Sequence, residues 1–250
     1  MTARSILRSS CRWLAAGAGI GAISYAVIVG YAWLRYGDVR PPTGPEEGDV
    51  LLDRFMPVYE IVERHRVQVD APADVTFDAA TRMDLQRSPM IRAIFKARES
   101  IMRTRHQRQP DSGSFITQMQ GIGWGVLAEV PDREIVMGAV TQPWMADVVF
   151  RPLPPDEFAA FREPDFVKIV WTLRADAVGP GESVFRTETR AVATDPVARA
   201  KFRRYWAFVS PGIILIRRLS LGPVKAAAER RWSASSSGAF VARPARQPLS

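Results

Sequence analysis

This chain of 250 residues is short of the side chains that most often carry chemistry, with one cysteine and two histidines. Cys11 standing alone excludes an intrachain disulfide and any cysteine-based metal site. His65 and His106 are far apart in the sequence, with no H-x-x-x-H spacing and no Cys/His cluster, so no metal is expected. A G-x-S-x-G elbow, a Walker-type loop and a G-x-G-x-x-G opening a helix are also missing, and no cofactor is implied. Gly121-x-Gly123-x-Gly125 lacks the following helix that phosphate binding needs and reads as a bend entering a strand. With 47% hydrophobic residues and 17 Gly and 19 Pro spread along the chain, the composition excludes a disordered or collagen-like protein.

The net charge of +8 is unevenly placed. Residues 1–40 hold five Arg against one Asp, residues 195–250 hold eleven basic against two acidic groups, and the middle is acidic. Nucleic-acid binding usually spreads basic surface over the folded domain itself, so this split argues against a nucleic-acid partner.

From Trp13 to Leu34 the chain carries no charge, and Arg12 and Arg35 bound the run. At ~1.5 Å per residue this helix would measure about 33 Å, enough for a hydrocarbon core of ~30 Å. Trp13, Tyr31, Trp33 and Tyr36 stand where interfacial aromatics are expected. Residues 1–36 are therefore expected to form a single-pass membrane anchor, or a signal segment cleaved after Gly30-Tyr31-Ala32 or Ser24-Tyr25-Ala26, the anchor being favoured because the run outlasts a signal-peptide core. Three Arg before the helix favour an inside amino terminus and a globular domain outside the cytoplasm. Gly17-x-x-x-Gly21 offers a small-residue face for a homodimer, or simply a Gly/Ala-rich anchor without a partner.

Residues 37–57 are rich in turn formers and read as a linker. Val58–Val69 alternates, with Tyr59, Ile61, His65, Val67 and Val69 on one parity, and predicts a strand with one wet face. Asp70–Asp74 predicts a helix start, and Ser88-Pro89 opens a second helix through Met102. Trp124–Val130 and Ile135–Val140 predict a hairpin, and Phe166–Ala175 and Ser183–Thr194 two further strands joined at Gly179-Pro180-Gly181. Asp195-Pro196 caps a last helix to Trp232, with Pro211-Gly212 and Gly222-Pro223 as kinks or breaks. Residues 233–250 read as a disordered tail. Strands bunched between helices imply an α+β fold, with one domain over residues 58–232.

This order, together with Val67–Phe77, Phe185–Arg190 and Asp195–Trp206, resembles the helix-grip fold of the START, polyketide-cyclase and lipid-binding (SRPBCC) superfamily. The resemblance implies an antiparallel sheet wrapped around a long C-terminal helix, with a cavity between them for a hydrophobic small molecule or lipid. Some members catalyse cyclisation or dehydration there and many only bind, so membrane-anchored binding or transport is the first reading and a polyketide cyclase/dehydrase-like enzyme the alternative.

Candidate cavity residues follow from parity and chemistry. His65 shares a parity with Tyr59 and Glu63, an arrangement that suits a proton shuttle or simply a hydrogen-bonded core histidine. Glu188 and Arg190, two apart on one strand, face the same way and form either an anion-holding pair in the cavity or an outer ion pair. Trp124, Trp144 and Trp171 are candidate pocket walls or core, and Glu129 and Met137 are candidates on the same logic. No catalytic residue is assigned. The basic and apolar run 195–232 either lies against anionic lipid or turns its apolar residues inward.

Overall fold

A computed structural model describes residues 23–39, 44, 48–83 and 113–241, with side chains as far as Ser236. The Gly17/Gly21 face, the expected helix from Ser88, His106 and residues 242–250 lie outside the described residues.

The described elements are α1 (Ile23–Arg35), α2 (Val50–Asp53), β1 (Ile61–Val69), α3 (Ala73–Thr81), α4 (Phe115–Gly121), β2 (Gly125–Val130), β3 (Glu134–Thr141), β4 (Phe150–Arg151), α5 (Pro155–Ala160), β5 (Val167–Gly179), β6 (Glu182–Ala193) and α6 (Pro196–Val241). Five strands form one antiparallel sheet in the order β1-β6-β5-β3-β2, with β4 paired to β3. The long β5–β6 hairpin pairs Trp171 with Thr189 and Thr172 with Glu188, and β1 adds His65 opposite Thr187. Because side chains alternate across a strand, this register assigns every chemistry-bearing residue to one of two faces.

One face carries Val69, Met137, Trp171, Leu173 and Phe185, buried against α3 and against Val224 and Ala228 of α6. Nearer the start of α6, Ile61, Val167 and Ala191 receive Phe202. The other face carries Val136, Val140 and Val170, and residues expected to form a free linker cover it. Leu52, Phe55 and Met56 of the α2 segment, with Phe158 and Phe161 around α5, bury fully or nearly so there. Burying a Leu or Met in this way contributes ~1.5–3 kcal/mol, which is why the segment docks although its Pro/Gly content suggests a tether.

Two expected boundaries shift. The first strand begins at Ile61 rather than Val58, because the chain bends at Glu60, whose carboxylate accepts from Tyr36 Oη at 2.7 Å and the Ala193 amide at 3.3 Å. The last helix is unbroken through Pro211 and Pro223 and continues past Trp232 to Val241, where a disordered tail was expected. Its start is as expected: Asp195 Oδ1 accepts from the amides of Val197 and Ala198 at 2.7 and 3.0 Å. Gly123 has φ +103°, and a Cβ there would sit 2.1 Å from Phe150 O, so the glycines before β2 serve a close backbone approach.

The described part of the expected anchor, α1, is 13 residues and too short by itself to cross a bilayer. Pro196–Ser236 is long and apolar enough to do so by length and composition, yet one side of it packs on the sheet through Phe202, Val224 and Ala228.

Candidate functional site

Two polar clusters lie back to back on the sheet. The first is on the α6 side. Glu63 and His65 of β1 and Thr187 and Thr189 of β6 point under the middle of α6, where Arg217 Nη1 donates to Thr187 Oγ1 at 3.2 Å. His65 Nε2 is 3.7 Å from Glu63 Oε2, beyond hydrogen-bond range. His65 Nε2 and Thr189 Oγ1 are buried and without a hydrogen-bond partner among the described residues. Burial, then Arg217 and Arg218, hold the His65 imidazole down at about 4, so it is neutral at pH 7. Burial raises the Glu63 carboxyl, with the same arginines opposing, and burial lowers the Arg217 guanidinium to about 10, with Glu63 opposing. The cluster can therefore offer a neutral imidazole, a hydroxyl and a cation to one incoming polar group.

The core packing of α6 is interrupted above this cluster. Ala198, Phe202, Ala207 and Ser210 are buried before it and Val224 and Ala228 after it, but no residue from Pro211 to Pro223 is fully buried. Both prolines lack the amide that would complete the helical ladder.

The second cluster is on the α2 side and is closed by its own charges. Arg190, 1% exposed, donates from Nε to Glu188 Oε1 at 2.7 Å and from Nη1 to Met56 O at 2.9 Å and to Asp53, with the Tyr59 ring 4.5 Å from its carbon Cζ. Arg64 joins Glu188 Oε2 at 3.0 Å and Tyr59 Oη at 2.8 Å. A cavity of about 110 Å³ adjoins, lined among others by Asp49, Arg64, Arg66, Arg174, Arg186 and Glu188. It is smaller than the about 300–1,000 Å³ of a site for a drug-sized molecule. Burial and Asp49 push the nearby Glu134 carboxyl up to about 7.

The nine candidates are thus divided. His65, Met137, Trp171 and Trp124 are on the α6 side; Trp171 is ringed by Phe115 at 5.5 Å and Trp124 at 5.8 Å, and Met137 is fully buried. Trp144 sits by the start of α6 with Lys201 Nζ 5.5 Å from its ring. Glu129 is exposed on the edge strand β2. Glu188, Arg190 and Tyr59 are on the opposite face, so the shared parity of Tyr59 and His65 is lost at the Glu60 bend, and Glu188 and Arg190 form a buried pair rather than a surface one. Thr187, Thr189 and Arg217 were not among the candidates. Threonines in a strand look like ordinary β-formers, and Arg217 looks like one more cation of a basic helix.

No protein-family profile and no curated protein matches the sequence. Solved structures do. CalU16 from Micromonospora echinospora is 14% identical at a TM-score of 0.25, over 69% of this chain and 86% of that one. The Zhui aromatase/cyclase from Streptomyces sp. R1128 is 14% identical at 0.25, over 68% and 94%. The di-domain ARO/CYC BexL from the BE-7585A biosynthetic pathway is 16% identical at 0.23, over 68% and 46%.

Proposed function

We propose that this is a membrane-anchored binding protein that takes the polar end of an amphipathic, lipid-like molecule at the Glu63–His65–Thr189–Arg217 cluster, between the sheet and α6. The observation that carries this reading is that two buried atoms of the cluster, His65 Nε2 and Thr189 Oγ1, have no hydrogen-bond partner among the described residues. Each unsatisfied buried polar atom costs ~1–3 kcal/mol, which a ligand oxygen bonded to both would recover. Arg217 favours an anionic or strongly polar end such as a carboxylate or phosphate. The apolar remainder would lie along the segment 211–223, which contributes no fully buried side chain.

Binding is favoured over cyclase chemistry. An imidazole held at about 4 is a weak general base at neutral pH. Glu188 and Arg190 neutralise each other on the other face of the sheet, away from His65. The test is organic extraction and mass spectrometry of the full chain purified in detergent. A stoichiometric amphiphile is expected, depleted severalfold in Thr189→Val; a wild-type protein that yields none overturns the reading.

A further inference from the structure

We infer that the cavity on the α2 side of the sheet is a site for a phosphate-sized oxyanion, held by the arginines of β1, β5 and β6. It lies on the face opposite the Glu63–His65 cluster, and the inference does not depend on the ligand proposed there. Arg66, Arg186 and Arg174 stand directly opposite one another from β1 to β6 to β5, and Arg64 is two residues from Arg66 on the same face. Like charges opposite each other on neighbouring strands weaken a sheet, so a row of three arginines is a cost that packing does not explain.

The acidic groups at hand are already shared. Asp176 takes Arg174 Nε at 2.8 Å, Arg186 Nε at 3.0 Å and Arg133 Nη2 at 3.4 Å, and Glu188 takes Arg64 at 3.0 Å and Arg190 at 2.7 Å. The cavity wall carries Arg64, Arg66, Arg174 and Arg186 against Asp49 and Glu188, and Asp49 Oδ1 is committed to the Leu52 amide at 2.8 Å. With Arg133, Arg190, Asp53, Asp176 and Glu134 added, six guanidinium groups face five carboxyls among the described residues, and Glu134 holds a proton up to about 7. The side chains of Arg64, Arg174 and Arg186 are only 21%, 15% and 17% exposed, so water screens this excess weakly.

An oxyanion fits the space and the donors. A water needs ~10–15 Å³, so a cavity of about 110 Å³ has room for phosphate although not for a drug-sized molecule. Neighbouring strands lie ~4.8 Å apart, which lets guanidinium forks from two of them reach the oxygens of one phosphate group. The site lies toward the β5–β6 turn, whereas Tyr36 at the end of α1 packs by Ile61 and Ala191 at the other end of these strands. Phosphate from water, inorganic or on a small ester, therefore reaches it more readily than a headgroup at the α1 end.

The experiment follows melting of the full chain in detergent by tryptophan fluorescence at neutral pH, in stepped sodium phosphate against sodium chloride of equal ionic strength. A second series uses dihexanoyl phosphatidic acid below its micelle-forming concentration. Inorganic phosphate is expected to raise the midpoint by several degrees over chloride, and phosphatidic acid to raise it less. Arg66→Gln changes an exposed side chain, so it keeps the fold and should weaken the phosphate response severalfold; Arg186→Gln should abolish it. Arg204→Gln removes an exposed charge from α6 and should leave the response intact. A larger response to phosphatidic acid that Arg66→Gln also weakens keeps the site and makes its source a lipid headgroup. No response to either probe, or equal responses in Arg66→Gln and Arg204→Gln, overturns the inference.

Discussion

Glu134 and His65, on opposite faces of one sheet, load the fold with opposite pH dependences. Glu134 is raised from 4.5 to about 7, so between those values the native chain holds a proton that the unfolded chain has released. Its contribution is present below pH 4.5 and is lost as pH rises through 7. His65 is lowered from 6.5 to about 4, so there the unfolded chain holds the extra proton, and stability is lost as pH falls from 6.5 through 4. In the overlap the two slopes oppose each other. Relative to wild type, Glu134→Gln should gain stability as pH rises from 4.5 to 7, and His65→Gln should gain it as pH falls from 6.5 to 4, each by about 2 kcal/mol across its window. Urea titrations at stepped pH check this; parallel curves for all three proteins would contradict both assignments. At this scale the sequence was only partly legible. Alternation along β1 put His65 on one parity with Ile61, Val67 and Val69 and left open which face that was, and nothing local announces that Asp49, from a segment resembling a tether, buries beside Glu134.

At the scale of elements, the α2 segment is fastened to the sheet by Arg190. Burial alone would lower that guanidinium, but Glu188 and Asp53 more than offset it and hold it above its ordinary value. Arg190→Ala leaves Glu188 buried with one cationic partner fewer and releases Met56 O, so it should cost about 3–5 kcal/mol. Asp53 is half-exposed, and Asp53→Asn should cost no more than about 1 kcal/mol. Chemical denaturation distinguishes the two; equal costs would mean that the α2 contact, not the buried Glu188 pair, carries the energy. The strands themselves were legible because period-two alternation survives wherever one face is buried, as along Val167–Ala175. The short helices α4 and α5 were not, since seven and six residues are too few to establish a helical period. In α6 the two Pro/Gly pairs were visible, but their effect was not: packing at both ends keeps the helix continuous where local sequence suggests a break.

For the whole molecule, α6 is a strut held at its ends. At the first end Glu60 gathers Tyr36, the Ala193 amide and Arg199, the last at 3.0 Å. At the other, Glu229 accepts from the Asp70 amide at 3.0 Å, Lys225 bridges to Gln68 O at 2.9 Å, and Arg231 pairs with Asp78. Thirty residues separate Arg199 from Glu229, about 45 Å of helix, with the loosely packed Pro211–Pro223 between them. Sequence reading could assign a long helix across a sheet from element order alone, but not that its grip is divided, because that depends on which side chains meet across the helix and the sheet. If the middle decouples the ends, Glu60→Ala and Glu229→Ala should destabilise additively, the double variant matching the sum within about 0.5 kcal/mol. If the strut instead acts as one rigid body, losing either end loosens the other, and the double variant falls short of the sum by more than that margin. Calorimetric or urea-derived stabilities of the four proteins decide between the two, and only the additive result leaves the central segment free to rise from the His65 cluster while both ends stay clamped.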